Sequence, residues 1–146
     1  YAAGHEEAVI AQLYGELGVR VGYEFMDFGL YTDRLDEDPP DMWSLLWSAD
    51  YPGPNDFLGL LLETGASNNA GRWSSADFDE AIAEALATGD PAASRVAYDR
   101  AEAIVQRDVP VIPVEYGSAW ALSRDGLLGA IDNGLGGIRM AGLAWR

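Results

Sequence analysis

The sequence contains no cysteine. That excludes disulfide scaffolds, thiolate zinc sites and cysteine nucleophiles. It leaves the redox compartment open, since a cysteine-free domain works inside or outside the cell. Lysine is absent as well: all nine basic residues are arginine, and they are scattered. With a formal charge of −15 and no basic face, the composition argues against nucleic-acid binding. An anionic membrane surface would repel such a chain. The single histidine is His5. A Ser-His-Asp triad would have to use it, and no Gly-x-Ser-x-Gly elbow is present. His5 stands at a helix start, where capping or solvent exposure is its expected role. The longest apolar run, Phe57 to Leu62, is far shorter than the roughly 20 residues of a membrane helix. No signal peptide is visible, because the N-terminus lacks a basic start and the helical segment after it is acidic.

What is present is aromatic and globular. Five Trp, seven Tyr and four Phe give 146 residues ample area to bury, so the chain is not of the disordered class. The excess acid is read first as solubility and solvated helix faces, and second as a mild preference for cationic or zwitterionic ligands.

Periodicity predicts a helix over His5 to Leu17, with Gly18 as the residue that stops it. Val19 to Phe25 alternates as a one-faced strand does. Phe28 to Leu35 reads as a short helix, broken by Asp36-Glu37-Asp38-Pro39-Pro40. Met42 to Trp47 is nearly all apolar and reads as a strand covered on both faces. This order suggests a parallel strand-helix-strand crossover. Asp50-Tyr51-Pro52-Gly53-Pro54 is the densest turn signal, after which Asn55 or Asp56 caps a helix through Leu62. Thr64 to Ser75 reads as loop. Asp77 to Ala87 reads as an amphipathic helix with Phe78, Ile82, Ala85 and Leu86 inward. Asp90 and Pro91 start another, running to about Arg107 on Val96, Ala97, Arg100 and Ile104. Val109 to Glu115 reads as a strand that Pro110 and Pro113 confine to an edge, with Ala119 to Ser123 continuing it. A final strand is expected near Ile138 to Met140. The expectation is one α/β domain over residues 1–146, with about five strands and five helices, and a piece of a larger protein.

Four strings in this order, AQLYGELGVRVGYEF, LLWSADYPGPNDFL, NNAGRWSSADFDEAIAEA and SRVAYDRAEAIVQRDVPVIPVEYG, resemble the family 5 solute-binding proteins of ABC importers. The resemblance spans almost the whole chain, and Trp-x-Ala-Asp-Tyr-Pro is its most specific part. It implies one lobe of a periplasmic-binding-protein-like type II fold, a small mixed sheet with flanking helices. Such proteins have two lobes, hold the ligand between them and close by a hinge. The chain resembles the last part of the second lobe. The resemblance implies these partners: a small solute such as a peptide, an N-terminal lobe of the same protein, and an ABC permease in the membrane. It implies a place in the periplasm or at the cell surface, no enzymatic step, no cofactor and no metal.

Carried over residue by residue, the resemblance makes Asp50 the partner of a ligand α-ammonium, a charge-assisted hydrogen bond in a drying cleft. The alternative for Asp50 is a turn cap. Trp47 matches a cleft aromatic, with core packing as its alternative. Ser48 and Ala49 offer backbone groups and Tyr51 a side chain. The loop holding Asn68, Asn69, Arg72 and Trp73 lies near the cleft by resemblance, and Arg72 or Arg124 is a candidate for a ligand carboxylate. Tyr116 and Trp120 are candidates for the same opening or for the core. Met42 to Trp47 carries no basic residue, which leaves a nickel complex, a sugar or another cation-bearing solute open beside a peptide. Two other classes stand against this reading. A glycosidase-like hydrolase would use paired acids among Asp77, Asp79, Glu80 and Glu84, which the helix pattern puts on a solvated face. A non-catalytic interaction module would share the fold without a cleft. A calcium loop from Asp36, Glu37, Asp38 and Asp41 fails on spacing.

Overall fold

The computed structural model describes residues 4–114, 116–117, 122–130, 137 and 140–146. It divides into two compact units, residues 1–40 and residues 41–146.

The first unit holds two helices, α1 (Gly4–Glu16) and α2 (Phe28–Glu37). Helix α1 ends as its sequence requires. Gly18 adopts φ +74°, its N–H donates to Gly15 O at 3.0 Å, and Val19 N–H reaches back to Tyr14 O at 2.9 Å. This crossed pair is a Schellman ending, and glycine supplies its left-handed residue without a Cβ penalty. Helix α2 buries Leu35 and closes its last turn with an Arg34–Asp38 ion pair. Between the helices, the expected strand from Val19 to Phe25 forms no ladder among the described residues. Its alternation is still real, because Tyr23 and Phe25 share a face with ring centroids 5.0 Å apart.

The second unit is built on α3 (Gly59–Leu62), α4 (Ala76–Ala87) and α5 (Pro91–Asp108). Both long helices start on side-chain caps. Ser75 Oγ accepts from Phe78 N–H at 3.4 Å, and Asp90 Oδ1 accepts from Ala92 N–H at 2.9 Å with Pro91 in the first turn. Each cap satisfies a donor that the helix itself leaves free. Helices α4 and α5 pack on small residues, Ala81 and Ala85 against Ala97 and Ala101, with Phe78, Ile82, Tyr98 and Ile104 filling around them. Alanines four apart on facing helices allow close approach of the two backbones. Leu58 and Leu62 belong to the same core. Ser94 Oγ donates to Ala85 O at 2.9 Å, satisfying a carbonyl near the end of α4, and Arg100 pairs with Glu84 at 2.6 Å on the outside. Among the described residues no helix is long and apolar enough to cross a membrane.

The α/β class stands, but the sheet differs from the expectation. Among the described residues it is two-stranded and antiparallel, not mixed. Strand β1 (Leu127–Leu128) pairs with β2 (Ala144–Trp145), in register Leu127 to Trp145 and Leu128 to Ala144. The expected strands at 42–47 and 109–114 have no ladder, so no parallel crossover forms in these residues. The physical reason is that apolar patterning specifies faces, while a strand also needs a neighbouring backbone to take its N–H and C=O groups. Leu45 and Leu46 are exposed rather than covered on both faces, and so are Val111, Ile112 and Val114. The expected helix after the Pro-Gly-Pro turn is two pieces, a 3₁₀ turn over Pro54–Asp56 and then α3. Leu86 and Val96, expected to face inward, are exposed. Met140 lies in a 3₁₀ turn; Ile138, Glu115 and the 118–121 stretch with Trp120 lie outside the described residues.

Candidate functional site

The corner at Trp47 to Tyr51 is held from below by a residue nine positions on. Asp56 is fully buried, the one buried charged side chain among the described residues. Its Oδ2 accepts from Trp47 Nε1–H at 3.0 Å and from Asp50 N–H at 3.2 Å. The chain returns to make this possible. Gly53 N–H bonds Tyr51 O at 2.9 Å, Asp56 N–H bonds Gly53 O at 3.1 Å, and Leu58 N–H bonds Pro54 O at 2.9 Å. Gly53 packs closely on Tyr51: a Cβ there would lie 3.1 Å from the ring, so the ring would have to shift. Proline at 52 and 54 stiffens the same turn.

On this frame Trp47 is half-buried, with its indole N–H committed to Asp56. Ser48 and Asp50 are exposed and Ala49 is half-buried. Asp50 is therefore held by its backbone while its carboxylate faces solvent. Tyr51 is exposed, and its hydroxyl accepts from Asn55 Nδ2 at 3.1 Å. The Tyr51 phenol also acts on Tyr98 in α5. Burial pushes the Tyr98 phenol above its ordinary value, and the charge of Tyr51 adds to that shift.

The loop before α4 is held by Asn69. This buried side chain donates through Nδ2 to Trp73 O at 2.8 Å, Glu63 O at 3.2 Å and Leu62 O at 3.4 Å. Its Oδ1 accepts from Trp73 N–H at 3.2 Å. All of its polar atoms are thus engaged with the protein's own backbone. Trp73 is half-buried and packs edge-on to Phe78 with centroids 5.0 Å apart. Asn68 and Arg72 are exposed, and Arg72 sits at φ +52°. Trp43 ties this loop to the strand-like segment before the corner, since a Cβ on Gly71 would stand 3.3 Å from its ring. Tyr116 and Arg124 are exposed.

Sequence reasoning missed Asp56 and Trp43. Asp56 was legible only as a helix cap; its burial depends on the chain folding back under Trp47. Two of the four acids of α4 are engaged within the protein, while Asp77 and Glu80 are exposed. Glu84 pairs with Arg100, and Asp79 Oδ1 accepts from Thr64 N–H at 3.0 Å.

Comparison with known proteins decides the family. No family model matches the chain. The chain is 32% identical over 100 residues to the periplasmic oligopeptide-binding protein OppA of Salmonella typhimurium, covering 68% of this chain and 18% of that protein. It is 25% identical over 141 residues to the oligopeptide-binding protein OppA of Bacillus subtilis, covering 93% of this chain and 26% of that one. Di/tripeptide-binding protein 1 of Pseudomonas aeruginosa is 25% identical over 109 residues, 73% of this chain and 20% of its own length. A solved structure, the periplasmic murein tripeptide-binding protein MppA in its unliganded open form, superposes with a TM-score of 0.66. That match has 26% identity and covers 75% of this chain and 22% of the other. The chain belongs to this family of solute-binding proteins. It spans about a fifth of the length of the curated relatives first matched. The MppA likeness gives the α/β fold of a periplasmic binding protein to a chain whose own described sheet is small.

Proposed function

We propose that this solute-binding chain forms part of one lobe, over residues 1–146, of a protein that captures peptides or similar amine-bearing solutes. It hands them unchanged to an ABC permease. The observation that carries the reading is the exposed Asp50 carboxylate on a corner whose backbone is tied to Asp56 at 3.2 Å. A carboxylate held in place and open to one side is a ready acceptor for an ammonium group. Trp47 offers a ring beside it, Ser48 and Ala49 offer backbone groups, and Tyr51 borders the opening. Asn69 and Trp73 shape the neighbouring loop. Most of the relatives carry the names of peptide binders and most are named periplasmic, one being named for deoxycholate; these names support a ligand of this class and a place outside the cytoplasm. They also support capture without chemistry, and the engagement of Glu84 by Arg100 and of Asp79 by the Thr64 N–H favours it over a hydrolase. The remaining partner is the rest of the same protein, which supplies the facing lobe.

Calorimetry on the full-length protein tests this with trialanine as the probe. Asp50→Ala is expected to weaken binding by about 2–5 kcal/mol, as for removing one side of a desolvated charge pair. Unchanged affinity would assign Asp50 to the turn alone.

A further inference from the structure

The corner contains a second carboxylate, and its chemistry is unusual for its position. Asp56 is fully buried, no salt bridge among the described residues reaches it, and both of its bonded donors are neutral. Its second oxygen, Oδ1, is buried with no hydrogen-bond partner. A buried carboxylate that lacks a cation carries a desolvation cost of several kcal/mol. The acceptor work alone does not require that cost. An asparagine Oδ1 could accept from both the Trp47 indole and the Asp50 N–H, through weaker, neutral hydrogen bonds. What aspartate adds over asparagine is charge, delivered at the backbone nitrogen of the residue that faces solvent. In a medium less polarisable than water, that charge, 3.2 Å from the Asp50 backbone nitrogen, is felt by whatever binds at Asp50.

We propose that Asp56 is a positioning and specificity-determining residue of the ligand corner. It fixes Trp47 and the Asp50 backbone through Oδ2, and its buried negative charge biases the corner toward cationic ligand groups. Two negative charges in one corner make an ammonium group the matched occupant and a capped amine a poor one. The inference rests on the reading of Asp50 as the ammonium anchor. It assigns to Asp56 a role beyond holding the turn: Asp56 sets how strongly the corner discriminates by charge.

The test measures affinity of the full-length protein for trialanine and for N-acetyl-trialanine, in wild type, Asp56→Asn and Asp56→Ala. Glu102→Gln, which removes an equal charge from an exposed position on α5, serves as the control. Asp56→Asn keeps an acceptor for both donors. It is expected to lower the preference for the free amine about tenfold, mainly by weakening trialanine, with little change for the acetylated peptide. Asp56→Ala is expected to weaken both peptides, because Trp47 and Asp50 lose their shared anchor. Glu102→Gln is expected to leave the ratio unchanged. A ratio in Asp56→Asn equal to wild type, while Asp50→Ala still abolishes the preference, overturns the role of Asp56 alone. Equal loss of both peptides in Asp56→Asn also overturns it, since that is what mere scaffolding would produce. A wild type with no preference for the free amine overturns the anchor reading of Asp50, and this inference with it.

Discussion

The indole N–H of Trp47 and the buried Oδ2 of Asp56 lie 3.0 Å apart, joining the last residue of an apolar run to the turn that follows it. Trp47→Phe keeps an aromatic ring at this place and removes the donor. Asp56 then retains only the Asp50 N–H at 3.2 Å. Leaving a buried carboxylate short of a donor should destabilise the fold by about 1–3 kcal/mol. The urea unfolding midpoint reports this, with an unchanged slope showing that the unfolded state is the same. No shift in midpoint would mean the bond has no net worth.

The helices and their ends were readable because they depend on neighbours in sequence. Asp90, Pro91 and Gly18 do what their positions announce, and Phe78, Ile82, Ala97 and Ile104 bury as periodicity requires. Leu86 and Val96 mark the limit: they are apolar at the edge of the stripe, and the close alanine contact between α4 and α5 leaves them outside. Strands were less legible, because Val19 to Phe25 and Met42 to Trp47 show faces but cannot name a pairing partner. At the candidate corner, resemblance alone singled out Asp50 and Tyr51. Asp56 and the inward bonding of Asn69 were not legible, because both follow from the chain folding back on itself over several residues.

Asn69 is expected to behave as a structural residue of its loop. It bonds three carbonyls and the Trp73 N–H. Asn69→Ala removes these bonds, with Glu63 O keeping its bond from Ala66 N–H at 3.0 Å, and should cost about 1–3 kcal/mol. Asn69→Asp should cost more, because a carboxylate would replace the donor and face three carbonyl oxygens. Thermal melts of the two variants check the order. Asp at wild-type stability would show that the Nδ2 bonds contribute nothing.

Helix packing makes a separate forecast. Ala101 is fully buried in the seam between α4 and α5. Ala101→Leu forces the helices apart and should destabilise by about 1–3 kcal/mol. Val96→Ala, on the exposed side of the same helix, should stay within about 0.5 kcal/mol of wild type. Equal effects at the two sites, measured by chemical unfolding, would contradict the assignment of the seam.

Alkaline pH should find Tyr98. Burial raises its phenol above the ordinary value near 10, and the charge of Tyr51 raises it further. The folded state therefore holds this proton more tightly than the unfolded state does. Its contribution to stability is complete below the unfolded value and is lost as pH rises through the higher folded value. Tyr31 is raised in the same direction, by burial first and Tyr23 second, so it adds to the same alkaline loss. Tyr98→Phe should make stability fall less steeply above about pH 10, while its behaviour near neutrality reflects only the lost hydroxyl. Tyr51→Phe should bring the Tyr98 value down without abolishing the shift, because burial is the larger cause. Unfolding midpoints followed from neutral to alkaline pH decide the matter. A slope in Tyr98→Phe identical to wild type would show that Tyr98 ionises in the folded protein as freely as in the unfolded chain.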